Sequence, residues 1–313
     1  VYRLVKMPPP HLRREQVAAL AGVDSEDSVR WWRAMGFPEV PDDEAIFTDT
    51  DVEMVARLRE LLDEGVVADA DVLRLARLMG SSFSRLVDAQ LAIVDDLARS
   101  QGADRLAALS NDGGDVVGTI EATMVYVWRR HMLAALVDRL WFDRDDLEQA
   151  VGFADLSGFS RVTKEVTAEE LTRIIEAFEA VAYDVISGHQ ARVVKLLGDE
   201  VMFVAPELDD AVAVGVELIS RLQAIEEVPP VHCGVAWGPT VTVGGDVFGP
   251  TVNLASRLTG VARPDTVALG RDDEARLASR AGLHIRRVRR LYDLKGVGRT
   301  SITSIRPAAD EAA

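Results

Sequence analysis

At about residue 150 the rhythm of apolar residues in this chain changes, and the change divides what its two halves can fold into. Before it, apolar side chains recur every three or four residues, which places them along one stripe of a 3.6-residue helix. The spacing predicts helices over Arg13–Leu20, Ser28–Met35, Asp49–Glu64, Asp69–Gln101 and Asp115–Leu140. Thr48-Asp49-Thr50-Asp51 ahead of Val52 offers N-cap oxygens, and Gly36, Gly65 and Gly102 stand where helices should stop. Pro38 and Pro41 mark a loop between the second and third helices.

Beyond the change, short Val- and Leu-rich runs alternate with helical segments. Strands are expected at Val151–Asp155, Ala191–Leu197, Glu200–Ala205, Val231–Trp237, Thr240–Val243, Thr266–Leu269, Ile285–Leu294 and Ser301–Ile305. Helices fall between them at Ala168–Gly188, Leu208–Glu226, Val252–Gly260 and Asp272–Arg280. The order β-α-β-β-α-β with added strands is that of an α+β, ferredoxin-like domain. The acidic stretch Asp143–Gln149 is the expected junction, giving an all-helical domain over residues 1–146 and an α+β domain over 147–313.

Charge narrows the partners. The 313 residues carry a net charge of −16. An acidic chain repels phosphate backbones unless its positive charges are concentrated, so nucleic acid is disfavoured as a main partner. A small anionic substrate held by metal ions remains compatible, because the cations supply the attraction. No run approaches the ~18 apolar residues of a membrane helix, and the opening residues do not read as a secretion signal. Cys233 is the one cysteine, which excludes an internal disulfide and a cysteine-cluster metal site. A reducing, cytoplasmic setting is expected.

Three segments carry chemistry. In Phe153-Ala154-Asp155-Leu156-Ser157-Gly158-Phe159-Ser160 an apolar strand ends in an acid and turns through Gly158 before a long helix. That presents a carboxylate at a strand end, with backbone N–H groups pointing outward beside a helix N-terminus, a setting for a divalent cation and a phosphate. A helix-capping Asp in a tight turn would read the same way. In Val193-Val194-Lys195-Leu196-Leu197-Gly198-Asp199-Glu200, two strands flank a Gly-Asp hairpin turn. If this hairpin lies beside the first strand, Asp199 and Asp155 converge, as two carboxylates that bridge two metal ions must; a solvated turn acid is the alternative.

Lys195 interrupts an apolar strand in a chain with only 4 lysines among 35 basic residues. Its ammonium suits a ring acceptor of a nucleobase, or simply solvent. The third segment, Gly244-Gly245-Asp246-Val247-Phe248-Gly249-Pro250-Thr251-Val252-Asn253-Leu254-Ala255-Ser256-Arg257, is a glycine-rich loop opening a helix. It sets Asn253 and Arg257 at i and i+4 on one face, where an amide and a guanidinium can meet a ribose and a phosphorus, or lie idle on the surface.

Together, over about 150 residues from Val151 to Ile305, these segments resemble the catalytic domain of class III adenylyl cyclases. The resemblance implies that Asp155 and Asp199, with the Leu156 carbonyl, hold two divalent cations, Mg2+ or Mn2+. It implies that Lys195 and Asp246 read adenine, that Asn253 and Arg257 act on the transition state, and that Lys295 grips the triphosphate. Ser157, Gly158 and Phe159 would line the phosphates. Guanylyl cyclases of this class typically carry Glu and Cys at the two base-reading positions, so ATP is the implied substrate. In this class one catalytic domain holds half of each site, so a chain with the full set implies a head-to-tail homodimer. Pro250 stands where many relatives have Asn, and proline fits a first helical turn.

The front half resembles the helical, autoinhibitory module of pH-responsive actinobacterial adenylyl cyclases. Its opening, Leu12–Gly36, also resembles a helix-turn-helix, read here as a packing unit because the half around it carries a net −11. His131, His11 and His189, or the carboxylates Asp95-Asp96 and Asp143–Asp146, are candidate pH sensors. Rival readings are a catalytically silent nucleotide-binding module, a transcription regulator with a cyclase-like sensor, and a diguanylate cyclase. Gly198-Asp199-Glu200 echoes the turn of the last, but Leu197 replaces its first glycine.

Overall fold

The computed structural model of the chain describes residue 2 and residues 5–102, 116–141 and 147–308. The chain divides into two compact units, residues 1–142 and 143–313. The acidic run Asp143–Asp146 lies outside the described residues.

The first unit is helical: α1 (Arg14–Ala21), α2 (Ser25–Ala34), α3 (Asp49–Asp63), α4 (Asp69–Gln101) and α5 (Val116–Trp141). Leu12, Val17 and Phe47 form its small core, with Trp32, Val52 and Val55 packed against them. An isolated bridge between Leu12 and Phe47 ties the start of α1 to the start of α3. At α3 the Thr48 hydroxyl and N–H both donate to the Asp51 carboxylate at 2.7 Å, a box that satisfies helix-end donors.

In the helix-turn-helix-like opening, Trp31 is buried and donates to Asp69 at the head of α4. Arg30 lies between Asp27 at 3.0 Å and Asp69 at 2.8 Å, and Arg33 lies 2.5 Å from Glu39. The groups that would meet DNA are thus occupied by packing and by carboxylates. His131 is exposed on α5, whereas His11 faces Asp49 at 3.5 Å.

The second unit runs β1 (Leu147–Leu156), α6 (Phe159–Glu165), α7 (Ala168–Gly188), β2 (Arg192–Leu197), β3 (Glu200–Ala205), α8 (Leu208–Gln223), β4 (Val231–Val243), β5 (Asp246–Phe248), α9 (Pro250–Thr259), β6 (Val267–Gly270), α10 (Arg271–Glu274), β7 (Leu283–Leu294) and β8 (Gly298–Pro307). Seven strands lie in the order β2-β3-β1-β4-β6-β8-β7, with β5 paired to β4. All neighbours are antiparallel except β4 and β6.

Strand alternation sends successive side chains to opposite faces. From β1, Ala150, Ala154 and Leu156 enter the larger core beneath α7 and α8, with Phe178, Phe203 and Leu218. Val151 and Phe153 enter the second core, with Ala255 and Leu258 of α9. Asp155 shares the parity of Val151 and Phe153, so it belongs to the α9 face.

The helix α9 lies directly on β4 because position 234 has no side chain. A Cβ at Gly234 would stand 2.2 Å from the Thr259 nitrogen and 2.5 Å from the Ala255 oxygen.

The structure departs from the sequence pattern at four places. The two strands expected at Val231–Trp237 and Thr240–Val243 are one, since Pro239 lies beyond Cys233–Val235, where β6 pairs, and so has a neighbour on one side only. The helix expected over Asp272–Arg280 stops at Glu274, because the Asp209 carboxylate captures the Ala278 and Ser279 N–H groups at 3.1 and 2.8 Å. The turn after Asp155 leads first into the short α6, not directly into the long helix. The glycine-rich segment contains a strand, β5: Gly244 and Gly245, at φ of 61° and 82°, make a tight two-residue turn back onto β4.

Candidate active site

Asp155, next to last in β1, has Glu200 of β3 as its cross-strand neighbour on one side and His232 of β4 on the other. All three lie on the α9 face. The next two backbone N–H groups are spent inside the sheet: Leu156 donates to the Asp199 carbonyl at 3.1 Å and Ser157 to the Pro230 carbonyl at 2.7 Å. They therefore do not point outward toward a phosphate, as the sequence led us to expect. Helix geometry leaves the Phe159 and Ser160 amides, at the head of α6, without intrahelical acceptors. Gly158 is the N-cap of α6, and Phe159 packs against the core under α7 and α8.

The β2–β3 turn brings Asp199 close to the Asp155 side chain, within reach of its charge. Burial, then the negative charge of Asp155, hold the Asp199 carboxyl above the usual carboxylate range. Glu200 is also raised, first by burial and then by Asp155 and Asp199. Lys195 and His232 offset this crowding only in part, and a divalent cation would relieve the rest.

The donors present suit such an ion. Asp155 and Asp199 give two hard oxygen sites, and Mg2+ is ordinarily held by one or two carboxylates while water and phosphate complete its shell. Among the described residues no group of three His, Cys, Asp or Glu side chains forms a ready cage. Leu156 is buried, so it has only its backbone carbonyl to offer.

Lys195 reaches the same face through an irregularity. Val193 pairs with Phe203 and Lys195 with Met202, leaving Val194 as an extra residue in β2. Without that bulge, Lys195 would oppose Val201 and turn toward α7 and α8. With it, Lys195 Nζ lies 2.6 Å from Asp246 Oδ2 of β5. Both side chains are about one-third exposed, at 35% and 31%. The other Asp246 oxygen accepts the Val247 N–H at 2.8 Å.

Asn253 and Arg257 are exposed one turn apart on α9. Lys295 is exposed in the β7–β8 turn, at the opposite end of the strand order from β2. Among the described residues no hydrogen bond or ion pair joins any of these three to Asp155 or Asp199.

Comparison with known proteins decides the family. The profile of the adenylate and guanylate cyclase catalytic domain matches residues 146–304, and that of the adenylate cyclase regulatory domain matches residues 10–133. An adenylate cyclase of Streptomyces coelicolor is 37% identical over 260 residues, covering 80% of this chain and 68% of that protein. The chain belongs to the adenylate and guanylate cyclase family.

A second relative of this cyclase, the adenylate cyclase of Streptomyces griseus, is 36% identical, covering 80% of the chain and 65% of that protein. A pH-sensitive adenylate cyclase of Mycobacterium tuberculosis is 28% identical, covering 82% and 68%. The cyclase chain thus spans about two-thirds of the length of the relatives it matches. Its catalytic unit carries the class III cyclase fold behind a helical regulatory domain.

Two residues at the cyclase site were not singled out from the sequence, Glu200 and His232. Glu200 follows Asp199 directly, which was a usable signal. His232 falls between Val231 and Cys233 in an alternating strand, so its face was readable. Its partner was not, because that depends on β1 lying beside β4.

Proposed function

We propose that the chain is an adenylyl cyclase, converting ATP to 3′,5′-cyclic AMP and pyrophosphate. The observation that carries this reading is the Lys195–Asp246 pair, a donor and an acceptor joined at 2.6 Å on the face that holds Asp155. Adenine offers an amino donor at C6 beside an acceptor at N1, and guanine reverses the two. Lys195 would donate to N1 and Asp246 accept from the amine. A site built this way leaves buried polar groups unpaired against the wrong base.

Asp155 and Asp199, with the Leu156 carbonyl, would hold two divalent cations, Mg2+ or Mn2+. When bound, these neutralise the triphosphate and lower the pKa of the ribose 3′-hydroxyl. Asn253 orients the ribose, so that the 3′-oxygen faces the α-phosphorus in line with the departing pyrophosphate. Arg257 offsets the charge that grows on the α-phosphate, and Lys295 holds the triphosphate tail. Ser157, Gly158 and Phe159 lead into α6, whose first amides face the phosphates.

The acids of the β1 end and the Asn253–Arg257–Lys295 set would meet across a head-to-tail homodimer with two equivalent sites. We further propose that the helical half, residues 1–146, controls the catalytic half, residues 147–313. Resemblance to the pH-sensitive relative makes pH its proposed stimulus. Among the described residues no helix is long and apolar enough to cross a membrane; the cytoplasm is the proposed setting. A silent nucleotide-binding module is disfavoured because none of the catalytic residue types is missing. A DNA-binding regulator is disfavoured by the occupied arginines of α2. The test is cyclic AMP formation from ATP by the full chain with Mn2+.

A further inference from the structure

We propose that His232 is a positioning residue for the metal-binding carboxylate, acting as a link between Ser157 and Asp155. The inference rests on the reading of Asp155 as a metal ligand.

His232 and Asp155 are direct cross-strand neighbours of an antiparallel pair, so their Cβ atoms are held on one face whatever their side chains do. The imidazole is nearly enclosed, with 14% of its side chain exposed against 32% for Asp155. Nδ1 lies 2.7 Å from Ser157 Oγ, and Nε2 lies 3.4 Å from Asp155 Oδ2.

One tautomer serves both contacts. The Ser157 hydroxyl donates to Nδ1, which leaves the proton on Nε2 to face the Asp155 carboxylate. Ser157 in turn is anchored by its backbone, whose N–H donates to Pro230 at 2.7 Å. The link therefore runs from the sheet backbone, through a hydroxyl and a ring, to one oxygen of Asp155, and leaves the other oxygen for a cation.

This arrangement answers a specific difficulty at the site. Asp155, Asp199 and Glu200 crowd together and repel. A carboxylate in such company turns away or shares a proton with its neighbour. An imidazole N–H facing Oδ2 at 3.4 Å from the strand on the other side favours one orientation of Asp155. Groups that hold a metal ligand in this way typically change metal affinity about 10–100-fold when removed.

The test is Mn2+ binding to the nucleotide-free full chain, followed by the electron-paramagnetic-resonance signal of free Mn2+. His232→Ala is expected to weaken binding about 10–100-fold, with an unchanged circular-dichroism spectrum. Ser157→Ala should weaken it less. His232→Gln should recover part of the loss, since an amide can accept from Ser157 and donate toward Asp155. In turnover, the Mn2+ concentration for half-maximal activity should rise in His232→Ala while saturating Mn2+ restores kcat. Wild-type Mn2+ affinity in both His232→Ala and Ser157→Ala, with binding lost in Asp155→Ala, would overturn the positioning role and leave the metal reading standing. Wild-type affinity in Asp155→Ala would overturn the metal reading itself. Should His232→Ala not fold, Ser157→Ala and His232→Gln decide the matter: a wild-type affinity in the former, or a loss in the latter larger than in the former, contradicts the link.

Discussion

Lys195 and Asp246, 51 positions apart, meet at 2.6 Å because one extra residue in β2 turns the lysine to the face on which β5 presents the aspartate. Neither strand reaches that contact by regular pairing alone. The bulge at Val194 aims the ammonium, and the Gly244-Gly245 turn returns the chain so that Asp246 is the first residue of β5. A pair so placed reads as a two-point recognition element for one edge of a base.

Exchanging both members should therefore change base selection. Lys195→Glu with Asp246→Cys is expected to lower the preference for ATP over GTP by at least tenfold in kcat/KM, about 1.4 kcal/mol. Steady-state kinetics with both nucleotides measures it. An undiminished preference would remove the base-reading roles.

Asp155→Ala should reduce turnover below detection while the far-ultraviolet spectrum stays that of the wild type. The side chain is about one-third exposed, at 32%, so its loss leaves no enclosed cavity.

Inactive chains should rescue one another. If Asp155 and Asn253 serve one site from opposite subunits, mixing Asp155→Ala with Asn253→Ala chains creates one intact site per heterodimer. Partial activity in the mixture, up to about a quarter of wild type from random pairing, is the expected outcome. Silence in verified heterodimers would contradict the shared site.

Gly234→Ala tests how α9 is seated. The added methyl meets backbone at 2.2 and 2.5 Å, which cannot yield as a flexible side chain would. A stability loss of about 1–3 kcal/mol is expected from overpacking, measured from the urea midpoint. Turnover should fall further than stability explains, because Asn253 and Arg257 ride on the displaced helix.

Divalent ions should stabilise the fold in a pH-dependent manner. Asp199 and Glu200 are raised above the usual carboxylate range. A raised acid costs no stability below its unfolded pKa; the cost grows as pH climbs from there to the folded pKa and is complete above it. A bound cation removes that cost and competes with the proton. The rise in Tm on adding Mn2+ should therefore grow from pH 5 to pH 8, and should vanish in Asp199→Ala.

Much of this architecture was legible because local signals agreed. The helical half announced itself by spacing, and the β2–β3 hairpin by Gly198-Asp199 between apolar runs. What stayed hidden depends on distant partners. The end of α10 is set by Asp209, which takes the Ala278 and Ser279 N–H groups across about 70 positions. The continuity of β4 through Pro239 follows from which strands flank it. The facing of Lys195 depends on a bulge that no residue in Val193–Lys195 advertises. His232 acquires its neighbour only once β1 and β4 pair. The residue types of the site could be read, whereas their contacts were decided by strand order.

The most direct test is cyclic AMP formation from ATP and Mn2+ across pH 5.5 to 8, by the full chain and by residues 147–313, which contain both apolar cores of the catalytic unit. Cyclic AMP and pyrophosphate should form in equal amounts, and Asp155→Ala should abolish both. The pH profile should be steep in the full chain and flattened once the helical half is removed. Absence of cyclic AMP from both at every pH would contradict the adenylyl cyclase reading.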